Sequence, residues 1–263
     1  MTSMANTMSD SAIMFRRSLR HIVRYPSMTL MLIGMPIVLL LLFVYVFGGT
    51  LGAGLGGPSG GRAQYVNYLT PGILLMTVTG AVQGTAISVA MDMTSGIIAR
   101  FRTMAIARTA VLTGRVLGSM IQTMLSLAIV IVVALGVGSR PTAGPVEWLA
   151  AIAILALITF ALIWLSVALG LKSKSVETAS NLPMVLILLL FLSSGFVPAN
   201  SLPGWLRGFA EYQPFTPVIE TVRGLLFGAP IGNSAAIAVA WCGGIALFSY
   251  LWARRLFQRR PAP

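Results

Sequence analysis

Titratable groups are what this sequence has least of where its apolar runs are longest. It holds six Asp and Glu, one His and one Cys in 263 residues. The interiors of the long apolar runs contain no Asp, Glu or His; Asp92 and Glu147 stand at run edges. A proton relay inside a membrane needs such a group, so proton-coupled transport is disfavoured. The single cysteine, Cys242, permits no intrachain disulfide and reads as a small packing residue within its apolar run. His21 sits among arginines, a setting that suits a charged surface better than a metal or catalytic site. No H-E-x-x-H, no G-x-S-x-G and no carboxylate pair at helical spacing occurs in an apolar run, which argues against a membrane enzyme. Gly-Lys is absent too, and with it any Walker loop, so energy from ATP would have to come through a separate chain.

What is present is hydrocarbon. Hydrophobic residues make up 57% of the chain, charged residues 9%, and mean hydropathy is +0.89, values that belong to a polytopic membrane protein. The formal charge of +12 is carried by arginines clustered between apolar runs. Membrane topology explains that placement better than a nucleic-acid partner does.

In chain order, residues 1–9 form a polar, mobile tail. Over 10–26, Phe15, Leu19, Ile22 and Val23 gather on one helical side and Arg16, Arg17, Arg20, His21 and Arg24 on the other. This predicts an interfacial amphipathic helix ended by Pro26; a solvated basic arm is the alternative. A transmembrane domain over 27–253 follows, with spans at 28–47, 68–91, 116–137, 147–171, 178–195 and 233–252, and a basic tail at 254–263. A Gly-rich loop, 48–67, separates the first two spans. The connection 93–115 interleaves Arg100, Arg102, Arg108 and Arg115 with Ile97, Phe101, Met104 and Ile106, too charged to span and too apolar for a free loop. It is expected to be a helix at the inner surface.

Residues 196–228 follow the fifth span but contain Pro198, Pro203, Pro214 and Pro217, which rule against one continuous helix. Leu202, Trp205, Leu206 and Phe209 mark a short amphipathic helix. Thr216 and Pro217 look like the N-cap and first position of a second helix, with Gly228 as its stop. Each piece is roughly 15–18 Å long against about 30 Å of hydrocarbon, so the pair is expected to dip in and out on one side. With that fold-back, 14 basic residues fall in inner segments and 4 in outer ones, as the positive-inside rule requires. Glu220 and Arg223, three apart, are expected to pair near the outer boundary.

The set F-x-P-x4-P-x-W-L from Phe196, then Pro214-x2-Pro217 before Glu220-x2-Arg223-x-Leu225-x2-Gly228, resembles the outer re-entrant signature of the ABC-2 type permeases. Within them it is most similar to the daunorubicin-resistance-type transmembrane subunits of actinobacterial drug exporters. The resemblance implies an all-α membrane protein. It would have six transmembrane helices, an N-terminal interfacial helix, a cytoplasmic coupling helix between helices 2 and 3, and two short re-entrant outer helices between helices 5 and 6. It also implies that Arg100, Phe101, Arg102, Met104, Ile106 and Arg108 dock on an ATP-binding subunit. The family often has Met-Pro-Ile where this chain has Met104, Ala105 and Ile106, which bears on the local bend. An ordinary positive-inside loop is the alternative.

The implied function is that of a permease subunit moving an amphiphilic small molecule, drug, antibiotic or lipid outward. A second permease chain, identical or not, would complete the path in the bilayer. ATP and Mg would sit on a separate ABC ATP-binding subunit, leaving this chain without catalytic residues, metal or cofactor. The implied location is a bacterial plasma (inner) membrane, multi-pass, with both termini cytoplasmic. Polysaccharide or lipo-oligosaccharide export is the rival within the family, and a non-transporting immunity or scaffold protein the rival outside it. Gln83, Gln122 and Asn181, with Ser126, Thr159 and Ser166, are polar residues within spans; they line a path or make interhelical hydrogen bonds.

Overall fold

A computed structural model describes residues 26–49, 62–94, 108–198 and 201–259. The expected tail and interfacial helix lie outside these residues except for Pro26. So do most of the loop after the first span and the middle of the 93–115 connection. Among the described residues every regular element is helical: α1 (Pro26–Leu42, continued by a π-helical turn, Phe43–Phe47), α2 (Arg62–Thr94), α3 (Arg108–Val137), α4 (Pro145–Lys172), α5 (Val176–Asn181), α6 (Met184–Phe191), α7 (Gly204–Tyr212), α8 (Phe215–Phe227) and α9 (Ser234–Arg259). Four helices, α2, α3, α4 and α9, are long and apolar enough to cross a membrane, and two shorter apolar stretches, Leu32–Phe47 and Val176–Phe191, accompany them.

The bundle is built around α4, which packs against α2, α3, α8 and α9. Pro145 fits its first turn, where the missing N–H is unused, while Glu147 and Lys172 complement the two ends of the helix dipole. Lipid tails are as apolar as Leu, so helices in a bilayer associate by close fit and interhelical hydrogen bonds rather than by escape from water. Both devices occur between α2 and α4, where the Ser166 hydroxyl donates to the Val82 carbonyl and Gly170 lies against Ala86 and Val89. One core joins Leu69, Ile73 and Val78 of α2 to Ile158 and Leu162 of α4 and to Val218 and Val222 of α8. A second core gathers Val89, Leu112, Val116, Trp164, Leu171 and Phe257 toward the other end. Away from these cores, Leu117, Ile121, Leu125 and Ile129 of α3 and Leu247, Phe248 and Leu251 of α9 stay exposed. Apolar faces of that extent suit hydrocarbon, not water.

Several boundaries differ from the sequence reading, and each difference has a packing cause. Helix α2 begins at Arg62 instead of Tyr68, because Tyr65 and Val66 are buried in the first core. At 33 residues it is about 50 Å long, more than the hydrocarbon thickness. Residues 108–115, assigned to the coupling helix, form the opening turns of α3, with Leu112 and Val116 in the second core. Helix α9 continues to Arg259 rather than ending near Trp252, because Ala253 and Phe257 pack into that same core. The fifth apolar segment is not one helix over 178–195. Pro183 divides it into α5 and α6, and the helix ends at Phe191, where the Ser193 hydroxyl turns back to the Leu190 carbonyl. Helix α8 starts at Phe215, with Pro214 in the cap position, so Thr216 is helical and not the N-cap.

The turn after α6 lies directly on α2. A Cβ added to Gly72 would sit 2.6 Å from the Gly195 carbonyl oxygen, a clash with backbone that no rotamer relieves. Gly72→Ala is therefore expected to destabilise the chain by about 1–3 kcal/mol. Thermal unfolding of the purified full chain checks this, and an unchanged midpoint would mean that the two backbones separate easily.

Candidate functional site

Helix α7 packs against α8, and α8 packs against α2, α4 and α9. Helix α7 presents Trp205, 81% exposed, and Phe209 outward, and buries only Ala210. Arg207 and Glu211, off the apolar stripe, form an exposed i,i+4 ion pair with Nε to Oε1 at 2.7 Å. Gln213 then passes in extended conformation to α8, and its side-chain amide donates to the Leu189 carbonyl at 2.8 Å. Helix α8 buries Val218, Ile219, Val222 and Leu226 and stops at Gly228, whose φ of 71° lies in the left-handed region that a glycine adopts without strain.

Arg223 organises this end. Its Nη2 donates to the Ser194 carbonyl at 2.8 Å and to the Tyr68 carbonyl at 3.1 Å. Its guanidinium carbon lies 3.9 Å from the centre of the Tyr68 ring. The Tyr68 hydroxyl donates to the same Ser194 carbonyl at 2.8 Å, and the Ser194 N–H donates to the Thr216 hydroxyl at 3.2 Å. One arginine thus joins α2, the turn after α6, and α8. Glu220 and Arg223 are near enough for their charges to act on each other, but they do not make the expected direct ion pair. The ion pairs among the described residues are Arg115 with Asp92 and Arg207 with Glu211. Glu220 instead accepts from the Ser234 hydroxyl at 3.0 Å, tying α8 to the start of α9. Two carbonyls converge on Nη2 while the guanidinium plane covers a π-face, so the arginine meets all three from one position.

Between α2, α7 and α8 lies a cavity of about 440 Å³. Tyr68, Ser194, Pro198, Glu211, Tyr212, Glu220 and Arg223 line it. On two of these residues, Ser194 Oγ and Arg223 Nε are fully buried without a hydrogen-bond partner. Of the residues named from sequence, the structure brings Pro198, Glu220 and Arg223 together here. Pro203 and Trp205 lie on the exposed side of α7, while Pro214 and Pro217 sit at the α7–α8 junction. Tyr68, Ser194 and Tyr212 escaped sequence reasoning: Tyr68 and Ser194 are 126 positions apart, and no local pattern links them.

At the opposite end, Asp92 near the end of α2 and Arg115 near the start of α3 approach to 3.4 Å. This pair brackets the 95–107 connection. Arg100, Phe101, Arg102, Met104 and Ile106 lie outside the described residues, and Arg108 is the first residue of α3. Among the polar span residues, Gln83 donates to the Ser180 carbonyl at 3.2 Å, so it bridges α2 and α5. Asn181, one residue on, is exposed, and Gln122 lies on α3, where its backbone carbonyl accepts from the Ser126 hydroxyl.

Residues 11–227 match the ABC-2 type transporter family. The chain belongs to that family. It is 26% identical over 248 residues to the daunorubicin resistance ABC transporter permease protein DrrB1 of Streptomyces coeruleorubidus, covering 94% of this chain and 85% of that protein. It is 25% identical over 176 residues to the probable doxorubicin resistance ABC transporter permease protein DrrC of Mycobacterium tuberculosis, covering 66% of this chain and 64% of that protein. Helical architecture, apolar spans and family membership agree: this is a multi-pass membrane permease of the ABC-2 type.

Proposed function

We propose that this chain is the membrane subunit of an ATP-driven exporter of amphiphilic small molecules, including drugs of the kind named for its relatives. The family match over 11–227 carries the reading. Hydrolysis belongs to a separate ATP-binding subunit that holds ATP and Mg, since this sequence has no Gly-Lys dipeptide from which to build a phosphate loop. Two permease chains, identical or paired with a relative, flank the path in a bacterial inner membrane.

The six crossings are α1, α2, α3, α4, the α5–α6 pair and α9. The Pro183 break supports counting α5–α6 as one crossing, because Leu182 and Pro183 keep right-handed helical backbone angles across it. The α7–α8 end with its cavity faces outward, and the Asp92–Arg115 end faces the cytoplasm, consistent with the charge asymmetry of the connections. Cysteine-accessibility labelling on a Cys242→Ser background is expected to reach Arg140→Cys and Arg207→Cys from outside, and Lys174→Cys and Gln258→Cys only after permeabilisation. External labelling of Gln258→Cys would overturn the six-crossing topology.

The function is tested by co-expressing the chain with its ATP-binding subunit and measuring ATP-dependent daunorubicin uptake into inverted vesicles or efflux from cells. Efflux is expected only with both subunits and ATP. A transport-independent phenotype would point to an immunity or scaffold role, and glycan export with no drug efflux would move the substrate class.

A further inference from the structure

At the Asp92–Arg115 end of the bundle, α4 and α9 finish side by side. On their buried side the Trp164 and Tyr250 rings meet edge to face with centres 5.0 Å apart, and Ala253 and Phe257 pack into the second core. Beside that contact the Lys172 ammonium lies 5.4 Å from the centre of the half-buried Trp252 ring. Phe248 stands four positions before Trp252 and Arg255 three after it, so helical periodicity puts all three on one side of α9. The Phe248 and Trp252 ring centres are 5.8 Å apart, and Phe248 is 64% exposed. Lys172 and Arg255 are exposed, and neither has a carboxylate within ion-pair distance among the described residues. Glu177, the acidic residue nearest to Lys172 along the chain, is itself exposed on α5 and pairs with neither.

Two cations flank an indole here, and from the indole an apolar wall runs along α9 through Phe248 to the exposed Leu247 and Leu251. A soluble phosphate would meet the cations and leave the wall uncovered. A lipid with a quaternary ammonium head would cover the wall and bring a third cation to the other two. A phospholipid with net negative charge satisfies both parts, as basic pockets between helices at a membrane surface do for acidic headgroups. We infer that the groove between the ends of α4 and α9 binds an anionic phospholipid, its phosphate on Lys172 and Arg255 and an acyl chain along Trp252 and Phe248. The arginine supplies a planar fork matched to phosphate oxygens and the lysine a point charge. The site stands on the membrane reading alone and asks nothing of the transported substrate.

The test uses the purified full chain in phosphatidylcholine vesicles, alone and in complex with its ATP-binding subunit. The probes are phosphatidylglycerol and phosphatidylcholine brominated in their acyl chains, which quench the fluorescence of a tryptophan they touch. Quenching that disappears in Trp252→Phe belongs to Trp252. For that component, brominated phosphatidylglycerol is expected to act at roughly a tenth of the concentration that brominated phosphatidylcholine needs, a factor within what two cations near a membrane surface supply. Lys172→Gln combined with Arg255→Gln is expected to remove the preference, and Lys172→Arg to keep it. Lys174→Gln combined with Arg254→Gln removes the same charge outside the groove, since Arg254 falls on the far side of α9 from Trp252, and is expected to leave the preference in place. An equal loss in both double variants would reduce the effect to general surface charge and overturn the inference. Equal quenching of the wild-type chain by the two lipids overturns it without recourse to any variant. Relief of quenching by inorganic phosphate would assign the cations to soluble anions, and loss of quenching in the complex would give this face to the ATP-binding subunit; either result overturns the lipid site.

Discussion

Arg223→Ala is expected to abolish efflux and to lower the thermal stability of the full chain by about 3 kcal/mol or more. The magnitude follows from what the guanidinium does. It makes two charge-assisted hydrogen bonds, to Ser194 and Tyr68, and covers the Tyr68 ring. Hydrogen bonds to charged groups contribute about 1.5–3 kcal/mol each, and a desolvated cation–π contact about 2, although contributions within one cluster do not add fully. Arg223→Lys is expected to recover only part, because an ammonium can donate to the two carbonyls that Nη2 alone now bridges but lacks the planar guanidinium that stacks on the Tyr68 ring. Tyr68→Phe removes only the hydroxyl that donates to Ser194 and keeps the ring, so it should cost about 1 kcal/mol. Unfolding midpoints for the three variants, with vesicle transport alongside, check the ranking. If alanine and lysine variants both transported normally, the three-way junction would be decoration on a fold held elsewhere.

That junction also marks where sequence reading stopped. Proline spacing and the Leu202–Trp205–Leu206–Phe209 stripe located α7 and α8 because helix periodicity and broken hydrogen bonding are local properties. The stop at Gly228 was legible for the same reason. Helix lengths were less so: α2, α3 and α9 run past their expected ends because Tyr65, Leu112 and Phe257 find partners on distant helices. The pairing of Glu220 with Arg223 failed on similar grounds. Three-residue spacing placed the two charges on neighbouring positions of one helix, but Arg223 found carbonyls supplied by residues 29 and 155 positions away. Neither contact leaves a trace in local pattern. The cavity beside them was illegible as a whole, being the space between three elements rather than a property of any one.

At the other end of the bundle, Phe101→Ala combined with Arg102→Glu is expected to leave membrane insertion intact, weaken co-purification with the ATP-binding subunit, and abolish substrate-stimulated ATPase activity. A permease with no nucleotide site can use ATP only if an inner connection transmits motion from its partner. The connection from α4 to α5 is too short for this, because Ser173 caps α4 and Ser175 already caps α5. The 95–107 connection is long enough, and Asp92 and Arg115 meet at 3.4 Å across its flanks, so under the proposed coupling a push on the segment would reach α2 and α3 together. Its sequence interleaves arginines with Phe101, Met104 and Ile106, which under the proposed docking would offer apolar groups to a partner cleft and cations to an acidic rim. Reversing the charge at position 102 would place like charges across that rim, while Phe101→Ala removes the largest apolar group, so the two changes act on separate parts of the contact. Asp92→Asn should separate the roles further: subunit binding is expected to persist while coupling falls, because the contact remains and the strut between α2 and α3 is weakened. Co-purification and ATP hydrolysis in reconstituted vesicles are the readouts. Binding and stimulation at wild-type levels in the double variant would reduce 95–107 to a loop that merely orients the chain.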